Sequence, residues 1–255
     1  MKLQSDFLKE LADKNERFDK RKPDEFREIS IEKGVIGNAE GSARVKIGNT
    51  EVIVGVKMEI GTPFPDKLDE GTLMVSAELS PIASSKFELG PPRPESIELA
   101  RVVDRGIRES GAMDVKKLCI KEGEKVWIVS IDIEIINHDG NLIDVASIAS
   151  VAALVDAKLP KVVDDKVEYG EKTNKSLPLT HKPVTVTVSK MGENLFVDAN
   201  SAEEELINSS VVITTKDNGN VSALQKKGTE PIFLEDLEKM IDISSKKAKD
   251  IRKLL

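Results

Sequence analysis

Arg101, Arg105 and Arg108 follow one another at i, i+4 and i+7, a spacing that puts all three on one stripe of an α-helix. Guanidinium forks match phosphate oxygens bidentately, and neighbours one helical turn apart, roughly 6 Å, reach successive phosphates of a nucleic-acid backbone. The same spacing suits intrahelical pairing of Glu98 with Arg101 or Arg105, and spacing alone leaves the two readings even. Between Ile97 and Ile120 five basic residues meet four acidic ones, so the segment is nearly neutral within an acidic chain.

A second group is acidic. Asp132 and Glu134 stand at i, i+2 on one face of a strand, close in sequence to Asp139 and Asp144, and such carboxylates could share a divalent cation or do acid–base work. The alternation of Ile131, Ile133 and Ile135 explains the same pattern as a half-buried strand with a solvated face, which is the favoured reading. The two histidines, His138 and His181, have no ligand partner at metal-site spacing and read as surface residues. There is no nucleophile elbow, phosphate loop or dinucleotide fingerprint. Familiar mononucleotide chemistry therefore has no support, although composition leaves a Ser-His-Asp triad open, and we expect no metal ion or cofactor.

The elements that must position these residues follow from periodicity. Segments 29–32, 42–47, 51–57 and 72–79 alternate as strands, expected to be antiparallel neighbours, and Gly48-Asn49 marks a tight hairpin between the second and third. The stiff run Gly90-Pro91-Pro92-Arg93-Pro94 leads into a helix over 95–109 that stops at Gly111. A strand over 126–136 and the Asp139-Gly140 turn precede a second helix, 143–159, rich enough in alanine and valine to be buried on most sides. A polar connector, 164–182, separates these from strands at 184–188, 195–197, 210–215 and 221–225 and a closing helix, 234–255. That last helix has acids at its start and lysines at its end, the polarity its macrodipole favours, so the lysines need no nucleic acid to explain them.

Composition bounds the rest. At 255 residues the chain can form one large or two modest cores, and the single Cys119 rules out an internal disulfide, which fits a reducing cytoplasm. A formal net charge of −7 argues against a generic nucleic-acid coating protein and leaves only a local basic surface for such contact. No run approaches the roughly 18 apolar residues of a membrane helix, and no membrane partner is expected. The amino terminus carries Leu3, Phe7, Leu8 and Leu11 at helical spacing and reads as a docking helix.

Three segments carry a resemblance: Gly41-Ser42-Ala43-Arg44-Val45-Lys46-Ile47-Gly48, Glu78-Leu79-Ser80-Pro81-Ile82-Ala83, and the helix from Glu95 through Arg101-Val102-Val103-Asp104-Arg105 to Arg108. Together with Val126-Trp127, Asp139-Gly140-Asn141 and the helix around 146–153, they resemble the RNase PH family, and more narrowly its non-catalytic members in the archaeal RNA exosome. The resemblance implies an α+β fold of two β/α subdomains, the first ribosomal-S5-domain-2-like. The expected division is an N-terminal docking helix and lead-in at 1–27, subdomain 1 at 28–163, a connector at 164–183 and subdomain 2 at 184–255. It also implies a hexameric ring of three heterodimers with a catalytic RNase-PH-like partner, a cap of S1/KH-type proteins, and single-stranded RNA threaded through the ring for phosphate-driven shortening from the 3′ end.

Departures from the family pattern bear on activity. Active members carry an adjacent arginine pair at the helix start, where this chain reads Pro94-Glu95, and an aspartate in a stretch where it offers Asn208-Ser209-Ser210. Neither phosphate grip nor general acid is present at the matching positions. The family's Arg-x-Asp-Gly-Arg is matched by Arg17-Phe18-Asp19-Lys20-Arg21, with Lys20 in place of glycine. The resemblance implies that Arg101 and Arg105 match positions that help hold RNA near the partner's active site, while Arg108 is either a third RNA contact or packs instead at the subunit contact. The expectation is an inactive, RNA-binding ring subunit. Its rivals are an exoribonuclease working through Asp132, Asp139 or Asp144, and a structural spacer whose arginines only form ion pairs.

Overall fold

A computed structural model describes residues 7, 10–12, 14–163 and 166–255. Strands β1 (Ile29–Lys33), β2 (Gly41–Ile47) and β3 (Thr50–Gly61) form an antiparallel meander. Gly48, with φ +57, begins the two-residue turn between β2 and β3, the left-handed position that a right-twisted hairpin needs. β4 (Thr72–Glu78) breaks the expected pattern of antiparallel neighbours. It lies at the sheet edge, parallel to β6 (Lys125–Asn137), giving the order β1-β2-β3-β6-β4 with the short β5 (Cys119–Lys121) beside β6. The crossover that makes a parallel pair is helix α1 (Pro94–Glu109), which packs back on β4.

Helix α2 (Leu142–Asp156) is buried on every side from Ile143 to Leu154, because it lies between β2 and β3 of the first sheet and β9 (Val184–Met191) of the second. Its alanines and serines let the sheets approach. A Cβ on Gly41 would come within 2.4 Å of the Ala153 carbonyl oxygen, so glycine is what allows β2 to lie so close to α2. The second sheet has the order β10 (Asn194–Val197), β9 (Val184–Met191), β11 (Ser209–Thr215), β12 (Val221–Gly228), all antiparallel. Helix α3 (Leu234–Arg252) covers β9 and β11 on the face away from α1 and α2, which is why β11 is buried at all seven positions.

Two segments differ from expectation. α2 ends at Asp156 rather than Leu159, and the chain turns directly into β7 (Lys158–Val163), paired with β8 (Lys166–Ser176). The stretch expected to be a polar connector is thus largely one arm of a β-hairpin. Of the expected docking helix, Leu3 and Leu8 lie outside the described residues; Phe7 is exposed, while Ala12 is buried in a small cluster with Met191 and Phe196. No helix among the described residues is long and apolar enough to cross a membrane.

Candidate nucleic-acid interface

α1 starts where the sequence says it must. Pro94 occupies the first turn, where its missing N–H costs nothing, and Leu99, Val102, Val103, Gly106 and Ile107 form the buried face. At 100° per residue Arg101, Arg105 and Arg108 fall within about 60° of one another on the opposite side. All three are exposed, but their chemistry differs. Arg108 donates to Asp104 through Nε (3.1 Å) and Nη2 (2.6 Å), and to the Leu73 carbonyl (3.0 Å). Its pKa is raised, first by the hydrogen bond to Asp104.

Arg101 and Arg105 make no hydrogen bond or ion pair among the described residues. The Glu98 pairing that their spacing allowed is not made, because Glu98 turns to the second sheet: Gln225 Nε2 donates to it at 3.2 Å, and Lys227 Nζ lies 3.8 Å away. Two guanidiniums therefore stand one turn apart on a rigid helix with their donors open to an incoming anion.

The acidic group does not converge. Asp132 and Glu134 face solvent beside β4, where Asp132 accepts from Ser76 Oγ (2.7 Å), and burial followed by Glu78 and Asp132 pushes the Glu134 pKa up. Asp139 caps the turn before α2, accepting from Ser201 Oγ at 2.8 Å. Asp144 is fully buried under β9, where the Thr187 amide (2.9 Å) and hydroxyl (2.7 Å) donate to its two oxygens. Among the described residues no three His, Cys, Asp or Glu are grouped to hold a metal ion. Of the histidines read as surface residues, His181 lies 3.4 Å from Asp217 near the surface. His138 is different: it is half-buried and stacks on Phe87 with centroids 5.4 Å apart, and burial lowers its pKa.

The two departures at Pro94-Glu95 and Asn208-Ser209-Ser210 meet in space. Glu95, Ser209 and Ser210 line one cavity of about 400 Å³ between α1, the start of α2 and the second sheet. Glu98 and Glu204 also line it, against a single lysine, Lys227. A site with this charge opposes a phosphate rather than gripping it.

A network that sequence reading missed ties the amino-terminal segment to both halves. Asp198, with φ +50 and its side chain fully buried, accepts from the Arg27 amide (2.8 Å), Arg27 Nε (2.9 Å) and Nη2 (2.7 Å), Arg21 Nη1 (2.9 Å) and Asn141 Nδ2 (2.9 Å). Arg17 bridges to Glu203 through Nε (2.9 Å) and Nη2 (2.5 Å), and donates to the Val197 and Asp198 carbonyls. The one sequence signal for this cluster was the spacing of Arg17, Asp19 and Arg21.

Models of the 3′ exoribonuclease family match the chain twice: domain 1 of the family at residues 25–160 and domain 2 at residues 181–247. The chain belongs to the RNase PH family. Among its relatives, the exosome complex component Rrp42 of Methanosarcina mazei is 47% identical over 252 residues, covering 99% of this chain and 93% of that protein. A chain of the Archaeoglobus fulgidus exosome with RNA bound to the active site superimposes with a TM-score of 0.92 at 44% identity, covering 99% of this chain and 97% of that one. A chain of an archaeal exosome core gives 0.88 at 42% identity, covering 99% and 96%. The RNase-PH-like α+β fold of two β/α halves is the one observed.

Against the RNase PH pattern, the turn at Lys20 is kept rather than lost. Lys20 adopts φ +63, the left-handed conformation for which the family's glycine is suited, and Arg17 and Arg21 still reach their carboxylates. Asp144 has a more testable consequence. Burial, partly offset by its Thr187 hydrogen bonds, pushes its pKa up to about 7. The unfolded value is about 4, so stability falls as pH rises across the window from about 4 to about 7 and is level above it. Asn in its place can accept from the Thr187 amide and donate to the hydroxyl. Asp144→Asn should match wild type near pH 4 and exceed it at pH 8 by on the order of 2–4 kcal/mol, read from denaturant midpoints. An offset independent of pH would contradict the assignment.

Proposed function

We propose that this chain is a non-catalytic ring subunit of an archaeal-type exosome core, binding the backbone of single-stranded RNA and completing the active site of a catalytic RNase-PH-like partner. The observation that carries this is the contrast on one helix. At its start Glu95 stands where active family members grip phosphate, and two turns on Arg101 and Arg105 present guanidiniums with no partner of their own. In this division of labour the partner supplies phosphate binding and proton transfer, while this subunit supplies positive charge in a fixed place. Arg108, oriented by Asp104, sits at the edge of the same track and makes the weakest contact. The assembly is three heterodimers in a hexameric ring beneath S1/KH-type cap proteins, in the cytoplasm, and it degrades and processes RNA from the 3′ end. The kinship with Rrp42 proteins and with a chain of an RNA-bound exosome supports this placement.

Aromatic residues make up 4% of the chain, so contacts fall on phosphate and ribose rather than on stacked bases, and affinity should depend on salt more than on sequence. Incubated alone with single-stranded RNA and inorganic phosphate, the chain should release no nucleoside diphosphates. Phosphate-dependent release by the isolated chain would overturn the reading and return attention to Asp132, Asp139 and Asp144.

A further inference from the structure

The cavity between the two halves holds polar groups that neither the fold nor the arginine track uses. Glu95 lies exposed at its edge with no hydrogen bond or ion pair among the described residues. Ser189 and Ser210 are directly paired across β9 and β11, and Ser189 shares its face of β9 with Thr187, whose hydroxyl points at Asp144 in α2. Both serines therefore turn toward the cavity they line. They are only 4% and 7% exposed, yet neither hydroxyl has a partner among the described residues, so each retains its capacity for an incoming polar group.

Charge and shape narrow the ligand. Glu95, Glu98 and Glu204 outnumber Lys227, and burial lowers the His138 pKa, so anions are disfavoured. Leu79, Leu99 and Ile143 supply apolar wall, and a volume of about 400 Å³ is that of a small-molecule site. Glu95 and Glu98 stand at i, i+3 on α1, roughly 5–6 Å apart at Cβ, which suits nitrogens separated by three or four methylenes.

We propose that this cavity binds an aliphatic polyamine, with ammonium groups at Glu95 and Glu98, N–H donated to the Ser189 and Ser210 hydroxyls, and the methylene stem along the apolar wall. The site goes beyond the RNA-binding reading and does not rest on it, since neither Arg101 nor Arg105 lines the cavity.

Calorimetric titration of the full chain with spermidine, without RNA, tests it. The expected result is saturable one-to-one binding that weakens about tenfold in Glu95→Gln and measurably in Ser210→Ala. Asp132→Asn, removing an exposed carboxylate elsewhere, should bind as wild type. Heat that never saturates, or equal affinity in wild type, Glu95→Gln and Asp132→Asn, would reduce the effect to diffuse attraction by an acidic protein and overturn the proposal.

Discussion

Replacing Arg101 and Arg105 together with alanine is expected to weaken single-stranded RNA binding by the assembled ring about a hundredfold, at roughly tenfold per charge-assisted phosphate contact. The slope of log affinity against log salt should fall by about 1.4, because each neutralised phosphate of a single strand contributes roughly 0.7. The fold should be untouched, since neither side chain bonds to anything in the described protein. Arg108→Ala is the informative comparison. It breaks the Asp104 pair and the bond to the Leu73 carbonyl, so its cost should appear in stability, at about 0.5–1 kcal/mol, more than in RNA affinity. Fluorescence anisotropy with labelled RNA at several salt concentrations reads all of this. Unchanged affinity and slope in the double variant, with the ring intact, would leave the arginines as part of a spacer.

The largest stability effect should come from Asp198→Asn, a loss of about 3–5 kcal/mol and a fall in Tm of roughly 10 °C. The carboxylate stands between Arg21 and Arg27 and accepts from Asn141, so an amide there would aim N–H at guanidinium donors and leave buried charge uncompensated. Asp132→Asn, on the solvated face, should stay within about 0.5 kcal/mol. The pH signature has the opposite sense to that of Asp144. Burial works against the ionised form of Asp198, but its hydrogen bonds and charge pairing with Arg27 prevail and hold the carboxyl below its ordinary pKa. Its contribution is therefore present above the unfolded value, about 4, and is lost as pH falls through the folded one. The variant should lose part of the acid limb of the stability curve while leaving the slope between pH 4 and 7 in place.

Much of the architecture was legible because local pattern and tertiary role agree. The Pro94 start and the apolar spacing of α1 locate the helix and its arginine stripe, and the small, apolar composition of α2 announces burial on all sides. Alternation marks β4 as a strand but cannot name its neighbour; the parallel pairing with β6 depends on the crossover through α1. The β8 arm of the hairpin reads as a linker because its lysine-rich residues carry little hydrophobic period. At the interface, spacing could not choose between a Glu98 pair and open guanidiniums, and the choice was made by Gln225 and Lys227, more than a hundred residues away in sequence. The Arg21–Asp198 and Arg27–Asp198 pairs are longer-range still, invisible to any local rule. The cavity is similar: Pro94-Glu95 and Asn208-Ser209-Ser210 are separate departures in sequence, and only the fold brings Glu95 and Ser210 to the lining of one space.

The most direct test of the division of labour is RNA degradation with and without inorganic phosphate by this chain alone, its catalytic relative alone, and the two assembled. The account predicts that the assembly processively shortens RNA in a phosphate-dependent way, that this chain alone does nothing, and that Arg101→Ala with Arg105→Ala slows the assembly without dissolving it. Full activity of the doubly substituted assembly, or phosphorolysis by this chain alone, would contradict it.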